Sequence, residues 1–403
     1  MFRLTQFMGE IDNPTPVGPR RDPPGPVVIW NLIRRCNLTC KHCYAISADK
    51  DFPGELTTEQ IFGVMEDLKK FRVPALILSG GEPLLRPDIF DISRRAKEMG
   101  FYVGLSTNGT LIDDDRIDDI ARVGYDYVGV SIDGLGQTHD TFRRLDGAFD
   151  TSMHGVRLCR DRGLKVGLRF TMTQDNAREL PDMLDLLDDE GIDRFYFSHL
   201  NYAGRGNHNR KDDAIFAMTR RSMDLLFERC LDRIRAGSPV EFVTGNNDAD
   251  GVYLLQWIQR NFPSHAAHMR RKLVQWGGNA SGVNVANIDN VGEVHPDTMW
   301  WHHDLGNVKD RPFSDIWQDT SDPLMAGLKA RPRTLKGRCG QCRQVDICGG
   351  NTRVRADQIT GDAWAEDPAC YLDDDEIGIA GPDQTDRVTL TPFSASRRRK
   401  KAG

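Results

Sequence analysis

The chain has 403 residues, of which 39% are hydrophobic and 28% charged, with a formal net charge of −6 and nine cysteines. These values are ordinary for a soluble globular protein with one large and one smaller domain, and the acidic balance excludes a general nucleic-acid-binding surface. We expect a cytoplasmic protein without nucleic-acid or membrane partners, because its apolar runs fall short of the roughly 18 residues of a membrane span and its N-terminus lacks a signal-peptide core.

Six short apolar, β-branched runs alternate with stretches of helical spacing in the first half of the chain. They lie at 27–32, 75–80, 102–108, 127–133, 165–172 and 194–200. Such alternation is typical of parallel βαβ units, which build an open doubly wound sheet or a partial barrel. The strand ends favour the barrel, because they run into small, polar segments such as SGGEP and STNGT, and barrel chemistry collects at these ends. We therefore predict an α/β fold with a partial (β/α)6 TIM-like barrel.

Three cysteines follow the first predicted strand, in the stretch CNLTCKHCY. Cys36, Cys40 and Cys43 are spaced by four residues and then three. Structural zinc normally takes four ligands, but the next cysteine in the chain is Cys159. Three thiolates on a [4Fe–4S] cluster instead leave one iron open to a substrate or cofactor, which favours a catalytic iron–sulfur site.

The order of these motifs resembles the radical S-adenosylmethionine (SAM) superfamily, in which CxxxCxxC after the first barrel strand is followed by GGEP, here at 80–83. The resemblance implies that the three cysteines are catalytic and hold three irons, while SAM chelates the fourth. It also implies SAM contacts at Gly80, Gly81, Glu82, Ser106, Thr107, Asn108, Ser131, Asp133 and Arg143. The alternative explanation for these residues is the ordinary polarity of turns and helix caps. Within this set Glu82 and the two glycines would receive the SAM amino group, and Arg143 would pair with the SAM carboxylate.

A second group of cysteines lies near the C-terminus, in a Cx2Cx5C pattern with a fourth cysteine 22 residues on: Cys339, Cys342, Cys348 and Cys370. Zinc competes with an iron–sulfur cluster here, because Cx2C is also a zinc spacing. The pattern resembles the SPASM/twitch-like extension of radical SAM enzymes, whose hairpin is matched by IDNVGEVHPDTMW. Cysteines of the full pattern are replaced by Asp297 and Thr352, so we predict one auxiliary [4Fe–4S] cluster, fully ligated by the four cysteines.

These patterns divide the chain into five predicted parts. They are an N-terminal extension at 1–25, the radical SAM core barrel at 26–240, a helical connector at 241–275, a SPASM-like auxiliary cluster domain at 276–375 and a disordered basic tail at 376–403. The two remaining cysteines, Cys159 and Cys230, lie in helical patterns and are expected to be buried, inert thiols.

Nearly the whole chain resembles the radical SAM enzymes of haem d1 biosynthesis, including the opening MFRLTQFMGE and the stretch PVVIWNLIRRCNLTCKHCYA. That resemblance implies a role in denitrification, a 5′-deoxyadenosyl radical and a tetrapyrrole substrate, 12,18-didecarboxysirohaem, which loses two propionate side chains. It also implies a reducing electron donor such as flavodoxin or ferredoxin. Eight residues could contact such a macrocycle: Arg169, His199, Arg205, His208, Trp300, Trp301, His302 and His303. For each histidine, the alternative is an ordinary hydrogen-bonded role.

Two other functions stay open from the sequence. SPASM-type extensions also occur in radical SAM enzymes that modify ribosomal peptides, although residues 1–25 are too short and proline-rich to form a peptide-recognition domain. A non-catalytic iron–sulfur or zinc protein is the more distant alternative, and it leaves GGEP and the polar strand ends unexplained.

Overall fold

The computed structural model describes residues 1–18, 25–238 and 240–379. Residues 380–403, most of the predicted basic tail, lie outside the described residues. None of the described helices is long and apolar enough to cross a membrane.

The strands of the described residues form one ten-stranded sheet. In chain order they are β1 Val27–Asn31, β2 Ala75–Ser79, β3 Tyr102–Thr107, β4 Tyr127–Ser131, β5 Val166–Met172, β6 Arg194–His199, β7 Glu241–Gly245, β8 Val285–Ile288, β9 Glu293–His295 and β10 Gly306–Asn307. Strands β1 to β7 are parallel neighbours in chain order, and β8 pairs in parallel with the other side of β1. Strands β9 and β10 complete the order β10-β9-β8-β1-β2-β3-β4-β5-β6-β7 as an antiparallel extension. The six predicted strands are thus confirmed as one parallel series.

Helices connect these strands and continue into the C-terminal region. They are α1 Leu4–Gly9, α2 Thr58–Lys70, α3 Ile89–Glu98, α4 Ile117–Val123, α5 Gly136–Arg143, α6 Ala148–Asp161, α7 Leu180–Asp189, α8 Gly204–His208, α9 Phe216–Arg235, α10 Ala249–Asn261, α11 Ala266–Trp276, α12 Phe313–Gln318, α13 Pro323–Lys329, α14 Gly337–Gln341, α15 Val345–Cys348, α16 Arg353–Thr360 and α17 Asp374–Ile377. Helix α2 begins with a capping box, in which Thr57 and Gln60 each bond the other's backbone. Helix α4 ends at Gly124 with φ of 67°, the left-handed conformation that glycine adopts without a steric penalty.

The segment predicted as a helical connector begins with a strand. Residues 241–245 form β7, which pairs with β6, and helices α10 and α11 follow. The apolar run VEFVTG is short and was overlooked, although its β-branched residues are typical of a buried strand. The parallel series therefore has seven strands rather than six before the chain returns to β8.

The N-terminal residues pack onto this seventh strand. Phe2 and Thr244 exchange two backbone hydrogen bonds of 2.8 Å, and Phe2 is buried against Phe7 and Trp276. Residues of the predicted extension thus belong to the hydrophobic core of the barrel.

The register of the sheet aligns the carboxyl ends of the first strands. Asn31 at the end of β1 lies opposite Ser79 at the end of β2, and the pairing continues through β3 and β4. Because parallel strands end at one edge, the loops that carry the cysteines, GGEP and the polar residues after β3 and β4 meet there.

Candidate active site

The cysteine loop follows β1 and forms its own small apolar cluster. Cys36 and Cys40 are buried with Leu38, and Cys43 packs beside them. Burial raises the pKa of Cys36 and, separately, the pKa of Cys40, because a thiolate is poorly solvated there. Thiolates at these positions therefore need a bound metal or other positive charge.

Each sulfur of the loop has a nearby N–H donor. The backbone N–H of Leu38 lies 3.4 Å from Cys36 Sγ, and that of Ser47 lies 3.5 Å from Cys43 Sγ. The Arg143 guanidinium donates to Cys40 Sγ at 3.5 Å. Hydrogen bonds to the sulfurs are one of the means by which a protein sets the potential of an iron–sulfur cluster.

The glycines of GGEP lie directly against the backbone of the cysteine loop. Gly81 N donates to Ile33 O at 2.6 Å and Glu82 N donates to Arg35 O at 2.9 Å. A Cβ atom on Gly80 would lie 2.4 Å from Ile33 O, and one on Gly81 would lie 2.2 Å from Arg35 O. The two glycines therefore allow the GGEP backbone to approach the cysteine loop closely, a neighbour that the spacing of the motif did not reveal.

Glu82 is fully buried and ties the end of β3 to the GGEP loop. Its carboxylate accepts hydrogen bonds from Leu84 N at 3.1 Å, Thr107 Oγ1 at 2.8 Å and Asn108 N at 2.8 Å. Burial raises the pKa of Glu82, and these three bonds oppose the shift. A carboxylate has about four acceptor positions. The predicted contact with the SAM amino group must therefore use a position that these three hydrogen bonds leave open.

The polar residues at the ends of β3 and β5 contact the cysteine loop and each other. Asn108 Nδ2 donates to Asn37 Oδ1 at 2.9 Å and lies 3.9 Å from Cys36 Sγ. Ser106 receives a hydrogen bond from the Arg169 guanidinium. Both predicted SAM residues thus face the same edge of the sheet as the cysteines.

Asp133 and Arg143 form a buried ion pair beside Cys40. The Arg143 guanidinium donates to Asp133 Oδ2, and Asp133 Oδ1 accepts from Thr171 N at 2.6 Å. His42 Nε2 lies 4.0 Å from the same carboxylate. Burial lowers the pKa of His42 to about 4, so this imidazole is neutral near pH 7. Arg143, predicted to pair with the SAM carboxylate, pairs with a protein carboxylate here, and Ser131 is half-buried at the end of β4.

The segment after β6 braces the cysteine loop, which the sequence did not reveal. Arg205 donates through Nε to Cys40 O at 2.7 Å and through Nη1 to Ser47 O at 2.9 Å. Asn209 Nδ2 donates to Lys41 O at 2.7 Å. Two nitrogens of the Arg205 guanidinium, predicted as a substrate contact, thus bond carbonyl oxygens of the loop, while Nη2 is buried without a hydrogen-bond partner among the described residues.

The four C-terminal cysteines line one pocket: Cys339, Cys342, Cys348 and Cys370. Burial raises the pKa of Cys348 and, to about 11, that of Cys370. Arg338 also lines the pocket, and Arg353 Nη2 lies 3.8 Å from Cys339 Sγ. The predicted ligand set is therefore gathered at one place.

Three histidines predicted near the substrate are bonded to carboxylates of the protein. His199 is buried, with Nε2 3.0 Å from Asp250 Oδ1. His302 Nε2 lies 2.9 Å from Asp357 Oδ2, and His303 Nε2 lies 3.0 Å from an Asp322 oxygen. These are the ordinary hydrogen-bonded roles that the sequence left as the alternative.

The remaining predicted substrate contacts lie in different surroundings. His208 is exposed at the end of α8, and Trp300 is buried in a separate small core. Trp301 lies between the C-terminal hairpin and the barrel, with its ring 6.2 Å from His295 and 6.1 Å from Tyr44. Among these remaining contacts, Trp301 thus lies beside Tyr44 of the cysteine loop, and Arg169 bonds Ser106 near the end of β3.

Comparison with known proteins supplies the family. The radical SAM superfamily profile matches residues 30–198. The chain is 56% identical to pre-heme d1 synthase of Dinoroseobacter shibae over 399 residues, which covers 98% of each chain. It belongs to the radical SAM superfamily. Within that superfamily it belongs to the same family as the Dinoroseobacter enzyme, and the resemblance inferred from the sequence is confirmed.

More distant relatives of this radical SAM enzyme agree with that assignment. Fe-coproporphyrin III synthase of Methanosarcina barkeri is 45% identical over 356 residues, covering 88% of this chain and 89% of the relative. The crystal structure of Streptococcus suis SuiB bound to precursor peptide SuiA has a TM-score of 0.70 at 17% identity, covering 86% of this chain and 76% of that chain. At that identity the likeness to SuiB shows the fold alone, a radical SAM barrel with a C-terminal extension. Family membership implies a SAM-binding [4Fe–4S] cluster.

Proposed function

We propose that this radical SAM enzyme acts in haem d1 biosynthesis and removes two propionate side chains from 12,18-didecarboxysirohaem. The observation that carries the proposal is the 56% identity to a pre-heme d1 synthase over nearly the full length of both chains. The identity to Fe-coproporphyrin III synthase supports a tetrapyrrole substrate. The two alignments cover 98% and 88% of this chain.

The cysteine loop suits the proposed cluster. Cys36, Cys40 and Cys43 would hold three irons, and the bound cluster with SAM supplies a 5′-deoxyadenosyl radical for hydrogen abstraction. Arg143 Nε is buried without a hydrogen-bond partner among the described residues, so this guanidinium retains a donor for an anionic group beside Cys40. The loop buries Cys36 and Cys40 almost completely, which keeps water from the reactive centre.

The proposed SAM contacts divide into two groups by their surroundings. Ser106 and Ser131 lie near the ends of β3 and β4, and Asn108 bonds Asn37 of the cysteine loop, so these side chains are available to the polar groups of a nucleoside. Glu82 and Asp133 are fully buried and hold neighbouring loops in place. We propose that this second pair acts on SAM mainly by fixing the shape of its pocket.

We also propose that the C-terminal cysteines hold an auxiliary [4Fe–4S] cluster. Zinc with Zn–S bonds near 2.3 Å would bring its sulfurs to within about 3.8 Å of one another. Among the described residues, one group of metal-ligating side chains has all its donor atoms within 4.8 Å of one another. That group consists of Asp289, Glu293 and His295 and contains no cysteine. The four cysteines do not form such a group, and a [4Fe–4S] cluster takes one thiolate on each of its four irons, so we propose the cluster.

Metal analysis tests the auxiliary cluster directly. Anaerobically reconstituted protein should contain about eight irons, and a variant with Cys36, Cys40 and Cys43 all changed to Ala should retain about four. The triple variant is also purified anaerobically without reconstitution. If it then contains zinc in place of iron, the proposal of an auxiliary cluster is contradicted.

The remaining parts of the proposal concern the partners and the location of the enzyme. A fully ligated auxiliary cluster suits electron transfer, and we propose a low-potential donor such as flavodoxin or ferredoxin and a cytoplasmic setting. Binding of the substrate is tested by adding 12,18-didecarboxysirohaem to the protein and recording its visible absorption. A saturable shift supports a tetrapyrrole site, whereas an unchanged spectrum contradicts it.

A further inference from the structure

The hairpin formed by β8 and β9 gathers three side chains outside the cysteine sites. One ligand atom each of Asp289, Glu293 and His295 lies within 4.8 Å of the other two. Asp289 and His295 are buried and Glu293 is half-buried. Two carboxylates and one imidazole thus converge beneath the surface of the C-terminal region.

The hydrogen bond on the far side of His295 fixes which ring nitrogen faces the carboxylates. Nδ1 lies 2.9 Å from the backbone oxygen of His303. A carbonyl oxygen only accepts hydrogen bonds, so Nδ1 carries a proton and Nε2 is the ring nitrogen that faces the carboxylates. Metal-binding histidines are oriented in this way, with the other ring N–H bonded to a carbonyl or carboxylate.

Nε2 of His295 has no hydrogen-bond partner in the described structure, although the residue is completely buried. The nearest carboxylate oxygen, Asp289 Oδ2, lies 3.7 Å away. That separation is too long for a bridging proton, because N–H···O bonds span about 2.7–3.2 Å. Two ligands about 2.1 Å from one divalent cation lie about 3–3.5 Å apart, close to the observed spacing.

The charges around the group also favour a cation. Asp289 Oδ1 accepts from Val291 N and Glu293 N, which leaves Oδ2 directed at His295. Asp289 and Glu293 thus place two carboxylates around the unpartnered Nε2 of His295.

We propose that Asp289, Glu293 and His295 bind one first-row divalent cation such as Mn²⁺ or Zn²⁺. One imidazole nitrogen with two carboxylates is a ligand set that these ions accept. The site would hold the β8–β9 hairpin in a fixed shape. The His295 ring stacks on Trp301 at an interplanar angle of 11°, and Trp301 contacts Tyr44 directly after Cys43. A cation here would therefore fix the aromatic residues that lie between the hairpin and the cysteine loop.

Mn²⁺ is the probe for this site, because it prefers oxygen and nitrogen ligands to thiolates. Holoprotein with oxidised clusters is titrated with Mn²⁺, and free Mn²⁺ is followed by electron paramagnetic resonance. We expect one saturable equivalent in the unaltered protein. Glu293→Gln should weaken binding by at least about tenfold, since it removes a ligand charge. Asp289→Asn should weaken it similarly while keeping the acceptor that caps the turn.

Asp304→Asn is the matched control, because Asp304 is exposed and lies outside the group of three ligands. It should retain the single equivalent with less than about a threefold change in affinity. The proposal would be overturned if Glu293→Gln bound Mn²⁺ as tightly as the unaltered protein, or if the unaltered protein showed no saturable Mn²⁺ binding. Unfolding midpoints measured without Mn²⁺ establish that each variant is folded.

Discussion

Replacing Gly81 by alanine tests whether GGEP holds the cysteine loop in place. The added Cβ would lie 2.2 Å from Arg35 O and 2.5 Å from Arg34 O, both backbone atoms. Ordinary contact begins near 3.4 Å, so the two loops must separate by about 1.2 Å. A rotamer change cannot relieve this clash, because the atoms on the other side belong to the main chain.

The cost follows from the bonds that such a separation breaks. Gly81 N–Ile33 O and Glu82 N–Arg35 O, now 2.6 and 2.9 Å, would both exceed hydrogen-bonding distance. Each buried backbone group left unpaired costs about 1–3 kcal/mol, so we expect a total of about 3 kcal/mol. Since every 1.4 kcal/mol is a factor of ten, the population of the correctly placed loop should fall by about 100-fold.

The assay is the electron paramagnetic resonance signal of the reduced SAM-binding cluster, recorded with and without SAM. Gly81→Ala should lose most of the signal that responds to SAM and keep the iron of the C-terminal site. Gly63→Ala is the matched control, because Gly63 lies within α2 with nothing within 4 Å of its added Cβ. It should be neutral or stabilising by up to about 1 kcal/mol. A full SAM-responsive signal in Gly81→Ala would refute this account of the motif.

Other substitutions separate the remaining roles. Arg205→Lys should lower SAM cleavage by about tenfold, because a lysine cannot donate to both loop carbonyls. Arg157→Lys at the surface is its control, and a defect limited to substrate binding would favour the predicted substrate contact instead. Cys339→Ala should keep SAM cleavage while losing about four irons and most product, and complete loss of SAM cleavage would contradict it. His199→Ala should lower the free energy of unfolding in urea by about 2 kcal/mol, because it leaves Asp250 with fewer partners. It should also leave the spectral shift of the bound macrocycle unchanged, and loss of that shift would return His199 to the substrate site.

The barrel could be predicted because its strands carry a strong local pattern. Runs such as ALILS, residues 75–79, are buried and β-branched, and they end in polar or glycine-rich turns. Strand β7 was missed because residues 241–245 form a brief apolar run within a stretch dominated by helical spacing. The pairing of β8 with the far side of β1 joins residues more than 250 positions apart, which local periodicity does not reveal.

The cysteine ligands could be predicted because their spacing is itself the signal. The partners of the polar residues could not, because they are set by the tertiary fold. Arg205 reaches carbonyls 165 and 158 residues earlier in the chain, and His199 bonds a carboxylate 51 residues later. A basic or imidazole side chain at a barrel mouth is compatible with a ligand, but only the structure shows that these two side chains also bond groups of the protein.

The most direct test of the proposed function is turnover of the substrate. Anaerobic protein is incubated with SAM, a low-potential reductant and 12,18-didecarboxysirohaem, and the products are analysed by mass spectrometry. A sample without SAM and the triple cysteine variant serve as controls. The account predicts formation of 5′-deoxyadenosine together with a tetrapyrrole that has lost both propionate side chains, in the complete mixture alone. SAM cleavage with an unchanged tetrapyrrole, under conditions in which a peptide is modified instead, would contradict it.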